Sequence, residues 1–282
     1  MVQLRLAVRS APAGSLGDLL EATPTLYGVA FGGGWFLAFG DRGRLLASAD
    51  GLRWLPRETG TQAKLLGVAH GKGTFVAVGQ DGILLASRDG RGWVQVPLDT
   101  REWLYGVAFG RGRFVAAGSG GLALVSEDGW RWQGARAFGE ETVSALAFGE
   151  HGFVAVGLGG RVYRSPDGLA WTPVASGTRA HLRGVAWSAG RYTVVGDGGT
   201  LLVSEDGRRW EALPPISEED LLGVAYGESR FLAVGARGGL LTSQDGRSWE
   251  ALSPYPAPLH GVAHGHRRFV AVGRGGVVLT TP

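Results

Sequence analysis

The chain of 282 residues carries 28 basic and 25 acidic side chains, a net charge of +3, with 44% hydrophobic and 19% charged residues. This is a globular composition and excludes a disordered chain. Cysteine is absent, which excludes disulfides, thiolate metal sites and cysteine nucleophiles, and no apolar run reaches the roughly 18 residues of a membrane helix. Glycine is the outlier at 50 residues, and without a G-X-Y period it reads as turn glycine.

Residues 1–9 open the chain with Val2, Leu4, Leu6 and Val8 alternating with Gln3, Arg5 and Ala7, the pattern of a half-buried strand. Arg5 and Arg9 interrupt any apolar stretch there, so the segment makes a poor signal peptide and a cytoplasmic location is expected. Residues 10–25, rich in Pro, Ala, Gly and Ser, read as a connector.

From Leu26 onward one unit recurs, and residues 65–97 show it clearly. Leu65–His70 is a short apolar run closed by Gly71-Lys72-Gly73. Phe75–Val78 follows and is closed by Gly79-Gln80-Asp81-Gly82. Then come Ile83–Ser87, an Asp-Gly turn and Trp93–Val96. Runs of β-formers bounded by Gly/Asp turns predict a four-stranded antiparallel meander. The turn belongs to a heptad, S-x-D-G-x-x-W, that starts at Ser48, Ser87, Ser126, Ser165, Ser204 and Ser243, always 39 residues apart. G-V-A in the first strand recurs at Gly28, Gly67, Gly106, Gly184, Gly223 and Gly261, with Ala145-Leu146-Ala147 in the fourth unit. An aromatic opens the second strand at Phe36, Phe75, Phe114, Phe153, Tyr192, Phe231 and Phe269. These count seven units, the last spacing being 38.

Four strands per roughly 40 residues predict an all-β, seven-bladed β-propeller. One domain, 1–282, is expected, with blades at 26–58, 65–97, 104–136, 143–175, 182–214 and 221–253. Residues 259–282 supply three inner strands of the seventh blade, which residues 1–9 complete. Pro56, Pro97, Pro173 and Pro214 fall within or just after fourth strands, which places those strands at the outer edge.

The heptad carboxylates of Asp50, Asp89, Asp128, Asp167, Asp206 and Asp245 are expected to accept backbone N–H groups of their own turns, while the Trp packs over the hairpin. Identical residues in every blade cannot all face one site, so they predict a clamp and not a catalytic or metal array. Function then belongs where the frame varies. The residue before G-V-A reads Tyr27, Leu66, Tyr105, Ser144, Arg183, Leu222 and His260. Two positions earlier stand Thr25, Lys64, Trp103, Thr142, His181, Asp220 and Pro258. Around a central channel these would ring its mouth, and Tyr27, Trp103, Tyr105, His181, Arg183, Asp220, His260 and Arg274 are the candidate ligand residues, with ordinary rim residues as the plain alternative.

The opposite face, made of heptad turns and first-to-second turns, holds Lys72, Arg111, Arg113, Arg191, Arg208, Arg209, Arg267 and Arg268. A basic face can meet an acidic partner, but Arg scattered one or two per blade does not make a nucleic-acid stripe. Trp130, inside a heptad turn, is a further possible contact. His260, His264 and His266 are too spread along a strand for a metal site, roughly 13 Å between the first two. Asp41, Asp81, Asp197 and Asp220 come from different blades, and glycoside chemistry would need two of them about 5–9 Å apart. No cofactor is expected.

The heptad resembles the Asp-box, or BNR repeat, of sialidases and other propellers. With F-V-A-V-G and G-G-x-L-L-x-S beside it, the unit is similar to the photosystem II stability/assembly-factor-like group. That resemblance implies a seven-bladed propeller acting as a non-enzymatic assembly module. Sialidases have six blades and an early F/Y-R-I-P motif that this chain lacks. The expected function is therefore a monomeric protein- or peptide-binding scaffold, neither nucleic-acid-binding nor embedded in a membrane. A carbohydrate-binding or glycan-processing propeller is the alternative, since Tyr27, Trp103 and Tyr105 would suit sugar stacking.

Overall fold

Strands form where the apolar runs stand and turn where Gly, Asp and Arg interrupt them. A computed structural model describes residues 7–9, the latter as backbone, and residues 23–282. They make seven four-stranded antiparallel sheets. In the first blade the strands are Leu26–Gly32, Trp35–Gly40, Leu45–Ser48 and Leu55–Arg57, running from the innermost to the outer edge. The next five blades repeat this order. Innermost strands lie side by side around the ring, and that of the last blade, Leu259–Gly265, closes against Leu26–Gly32.

The last blade takes its outer strand from Ala7–Arg9, which pairs antiparallel with Val278–Thr280 in the register Ala7↔Thr280, Val8↔Leu279, Arg9↔Val278. The expected alternation at Val2, Leu4 and Leu6 lies outside the described residues. Pro56 and Pro173 stand inside outer strands, opposite Leu46 and Tyr163, as edge prolines should. Among the described residues no helix is long and apolar enough to cross a membrane.

The core lies between blades. Second-strand aromatics Phe36, Phe114, Phe153, Tyr192 and Phe231 are fully buried, the first four packed with Val of the neighbouring sheet. The glycine of G-V-A sets how closely the blades approach: a Cβ on Gly261 would stand 2.7 Å from the Gly28 Cα, and one on Gly67 3.3 Å from that of Gly106. Only a small residue fits where innermost backbones meet.

Each heptad closes its hairpin in the same way. In the first blade Asp50 Oδ1 accepts the N–H groups of Leu52 and Arg53, both at 2.9 Å, and Ser48 Oγ accepts that of Gly51 at 2.8 Å. Gly51 takes φ 75°, and Trp54 Nε1 donates to its carbonyl at 3.2 Å. The Trp54 ring packs 6.2 Å from Phe36, so the clamp reaches into the core. Backbone N–H donors hold all six carboxyls below the usual range, that of Asp245 at about 2. A carboxyl held low in the folded state adds stability that is present above its unfolded pKa, near 4, and is lost as pH falls through the folded value. The stability gap between wild type and Asp245→Asn is therefore expected to hold steady above about pH 5 and to close between about pH 4 and 2. Thermal unfolding across that range measures it, and a gap that widens on acidification would count against the clamp.

Candidate binding site at the channel mouth

The seven residues before G-V-A share a backbone irregularity that the repeat pattern did not announce. In every innermost strand the ladder skips one position, passing from Leu26 to Gly28, Leu65 to Gly67, Leu104 to Gly106, and so on to Leu259 and Gly261. The skipped residues are Tyr27, Leu66, Tyr105, Ser144, Arg183, Leu222 and His260. A bulge leaves its residue unpaired and re-aims the side chain. The preceding apolar residue is fully buried in all seven blades, so it anchors the strand while the bulge residue stays half-exposed.

A second ring stands beside the first. The turn between second and third strands folds over the start of the first strand, Asp41 N–H donating to the Thr25 carbonyl at 2.9 Å and Ser119 N–H to that of Trp103 at 2.9 Å. Its first residue, from Asp41 to Arg274, thus neighbours the bulge residue of its own blade. In the fifth blade Arg183 grips Asp197 with both arms, Nε to Oδ1 at 2.8 Å and Nη2 to Oδ2 at 2.9 Å. That hydrogen bond raises the guanidinium pKa, and the Asp220 charge adds to it.

The seam between the last and first blades gathers four polar groups. Tyr27 and His260 meet edge-on with ring centroids 5.4 Å apart, Lys64 Nζ lies 5.5 Å over the Tyr27 ring, and Asp41 stands 3.8 Å from Lys64. Burial, then the Asp41 charge, pushes the Tyr27 phenol up, while burial pulls His260 down against the opposing pull of Asp41. Arg274 is exposed at the same seam, and its side chain has no hydrogen-bond or ion-pair partner among the described residues.

Of the sequence candidates, the structure brings together Tyr27 with His260 and Trp103 with Tyr105, the latter pair with centroids 6.2 Å apart. Trp103, His181 and Asp220 do something further. Each reaches back 22 residues to the turn of the preceding blade: Trp103 Nε1 donates to Asp81 Oδ1 at 3.1 Å, His181 Nδ1 accepts from Gly159 N–H at 2.9 Å, and Asp220 Oδ1 accepts from Gly198 N–H at 2.9 Å. These three staple neighbouring blades. Asp41, Asp81, Asp197 and Asp220 are each met by a donor or cation.

The basic residues of the opposite face are partly committed. Lys72 Nζ donates to the Glu127 carbonyl at 3.3 Å, Arg113 to that of Asp167 at 2.9 Å and Arg191 to that of Asp245 at 2.7 Å, each crossing to the next blade's heptad turn. Arg268 bonds the Thr281 carbonyl at 3.0 Å, and Arg267 lies 3.8 Å from Glu228. Arg111, Arg208 and Arg209 stay exposed.

Sequence reasoning missed one ring. Phe31, His70, Phe109, Phe148, Trp187, Tyr226 and His264 stand opposite the second-strand aromatics at centroid distances from 4.4 to 4.9 Å. His70 covers Gly32 of the preceding blade, Phe109 covers Gly71, and Phe31 closes the circuit over Gly265. The position directly after G-V-A is aromatic or His in every unit, a signal that was there to be read. Among the described residues no group of three or more His, Cys, Asp or Glu is placed to hold a metal ion.

No family model matches the chain, and no curated protein sequence does. Solved structures do. YCF48 bound to D1 peptide is 21% identical, with a TM-score of 0.78, covering 100% of this chain and 98% of that one. YCF48 from Cyanidioschyzon merolae is 18% identical, with a TM-score of 0.77 and 98% of both chains covered. Virginiamycin B lyase from Staphylococcus aureus is 10% identical, with a TM-score of 0.84, covering 99% of this chain and 100% of that one. At these identities the likeness establishes the seven-bladed fold.

Proposed function

We propose that this chain is a non-enzymatic propeller that binds a protein segment or peptide at the channel mouth, using Tyr27, Trp103, Tyr105, His181, Arg183, Asp220, His260 and Arg274. The observation that carries the reading is the bulge ring: at seven equivalent backbone positions stand half-exposed side chains of five kinds, each skipped by its ladder. A rigid frame with a variable rim suits recognition and asks for no catalytic array. YCF48, of like fold, was solved with a D1 peptide, which supports a peptide as the kind of partner.

The lyase of the same fold keeps an enzymatic reading in view, and the Tyr27–Lys64–Asp41–His260 seam is the place it would use. Against it, Lys64 and Asp41 already answer each other. For glycan processing, carboxylates occupied by donors speak against an acid–base pair, and the Trp103–Tyr105 pair alone favours sugar stacking.

Photo-crosslinking inside the host tests the proposal. A benzophenone amino acid at Tyr105 is expected to give one dominant protein adduct that the same group at Arg208, on the opposite face, does not give. Adducts arising from Arg208 alone would overturn the placement.

A further inference from the structure

Outer strands are open edges, and four of this protein's blades guard theirs with proline. In the second, fifth and sixth blades the outer strand donates inward through Val96, Leu213 and Leu252, to the carbonyls of Leu84, Leu201 and Leu240. Antiparallel pairing alternates, so the residues on either side of these point their N–H groups away from the blade. Pro56, Pro97, Pro173 and Pro214 all occupy those outward positions. Four blades thus delete an outward donor, the usual defence against strand addition.

The third blade does not. Its outer strand Gln133–Arg136 is paired over four rungs, Leu122↔Arg136, Ala123↔Ala135, Leu124↔Gly134 and Val125↔Gln133. By the 39-residue repeat Ala135 is the inward donor, so Gly134 and Arg136 present free N–H groups, and all four residues are exposed. The sixth blade also keeps donors, at Ala251 and Ser253, but Pro254 stops it directly afterwards.

Both faces of this edge are hollow. A cleft of about 730 Å³ flanks it on the side of Ala135, with Ala137 and the 59% exposed Leu169 on its apolar part and Arg113, Glu127, Asp128 and Arg131 on its charged part. A second, of about 590 Å³, lies on the side of Gly134, between Leu98, Trp130 and Trp132. Small residues at Gly134 and Ala135 leave this room, and Arg88 rests 5.6 Å over the Trp130 ring at its border.

We infer that the edge of the third blade is a strand-addition site for an extended segment of a partner protein. The segment pairs with the outward groups of Gly134 and Arg136 and sends alternate bulky apolar side chains into the two clefts. A second copy of this chain fits less well, because its own edge, Gln133–Arg136, carries no bulky apolar side chain and would leave both clefts empty. Arg136 ends the strand, its guanidinium donating to the neutral Gly120 carbonyl, and its uncancelled charge favours an acidic residue on the segment beside it, whereas Arg131 stands beside Asp128 and Glu127. This site is separate from the channel mouth.

The test copies the protein's own defence. Gly134→Pro and Arg136→Pro place proline where sister blades carry it, so the double variant is expected to fold, with circular dichroism melting as the check. The probe is a phage-displayed library of random eight-residue peptides selected on the wild-type chain. Enriched peptides should alternate apolar residues, lose at least tenfold in affinity on the double variant, keep full affinity for Tyr105→Ala, and slow amide exchange at Gly134 and Arg136. Three results would overturn the inference: no peptide enriched, peptides that bind the folded double variant equally, or a concentration-dependent dimer that the prolines abolish. Loss of binding on Tyr105→Ala instead would return the peptides to the mouth and leave the edge without a role.

Discussion

Replacing Gly118 by alanine is expected to cost at least about 4 kcal/mol, a loss reserved for named structural failures. Gly118 ends the second strand of the third blade with φ −173° and ψ −129°, away from the left-handed region. The penalty is steric. A Cβ would stand 1.7 Å from the Trp103 carbonyl oxygen and 2.7 Å from its carbon. That oxygen already accepts the N–H of Ser119 at 2.9 Å, so it cannot retreat without losing the bond that folds the turn over the mouth. Glycine recurs at the same place in each blade, as Gly40, Gly79, Gly157, Gly196, Gly235 and Gly273. Gly92→Ala is the control, with ordinary φ and nothing within 4 Å, and should lie within about 0.5 kcal/mol of wild type. Melting temperatures decide: a drop of about 8 °C or more for Gly118→Ala, at 2–4 °C per kcal/mol for a chain of this size, against little change for Gly92→Ala.

Deleting residues 1–9 should remove about 3 kcal/mol. The strand Ala7–Arg9 covers Val278, Leu279 and Thr280, which are 3%, 1% and 2% exposed, and the truncation opens one side of each. The last blade has no heptad to clamp an outer hairpin, and among the described residues no other strand pairs with that edge. A melting point lower by roughly 6–12 °C is expected, recovered in part by adding a peptide of residues 1–9 in trans. An unchanged melting point would mean that the ring closes without that strand.

The heptad made the frame readable, because a hairpin clamp needs the same Ser, Asp, Gly and Trp each time and so leaves a strict period. The closure was readable for a similar reason: the seventh unit stops after three strands, and Val8 and its neighbours alternate as a fourth would. Positions such as Tyr27 and Arg183 stood out as variable beside an invariant apolar residue. Their aim was not legible, because a bulge depends on how two strands register and leaves no mark in one strand's composition. The staples were hidden for another reason. Trp103 meets Asp81, and Arg113 meets Asp167, across blades, where only the ring geometry makes neighbours of residues 22 and 54 apart. Hence residues that looked free, on the mouth and on the basic face alike, prove to be joints between blades.

The proposed function divides the chain into an invariant frame and a rim that recognises. Tyr105→Ala tests it with two readings on one variant. Tyr105 is half-exposed and unpaired in its ladder, so the melting point should fall by no more than about 4 °C, a loss of about 1 kcal/mol. Binding to the partner captured by crosslinking at the mouth should weaken at least tenfold. Full affinity in the folded variant, with the same partner, would contradict the account.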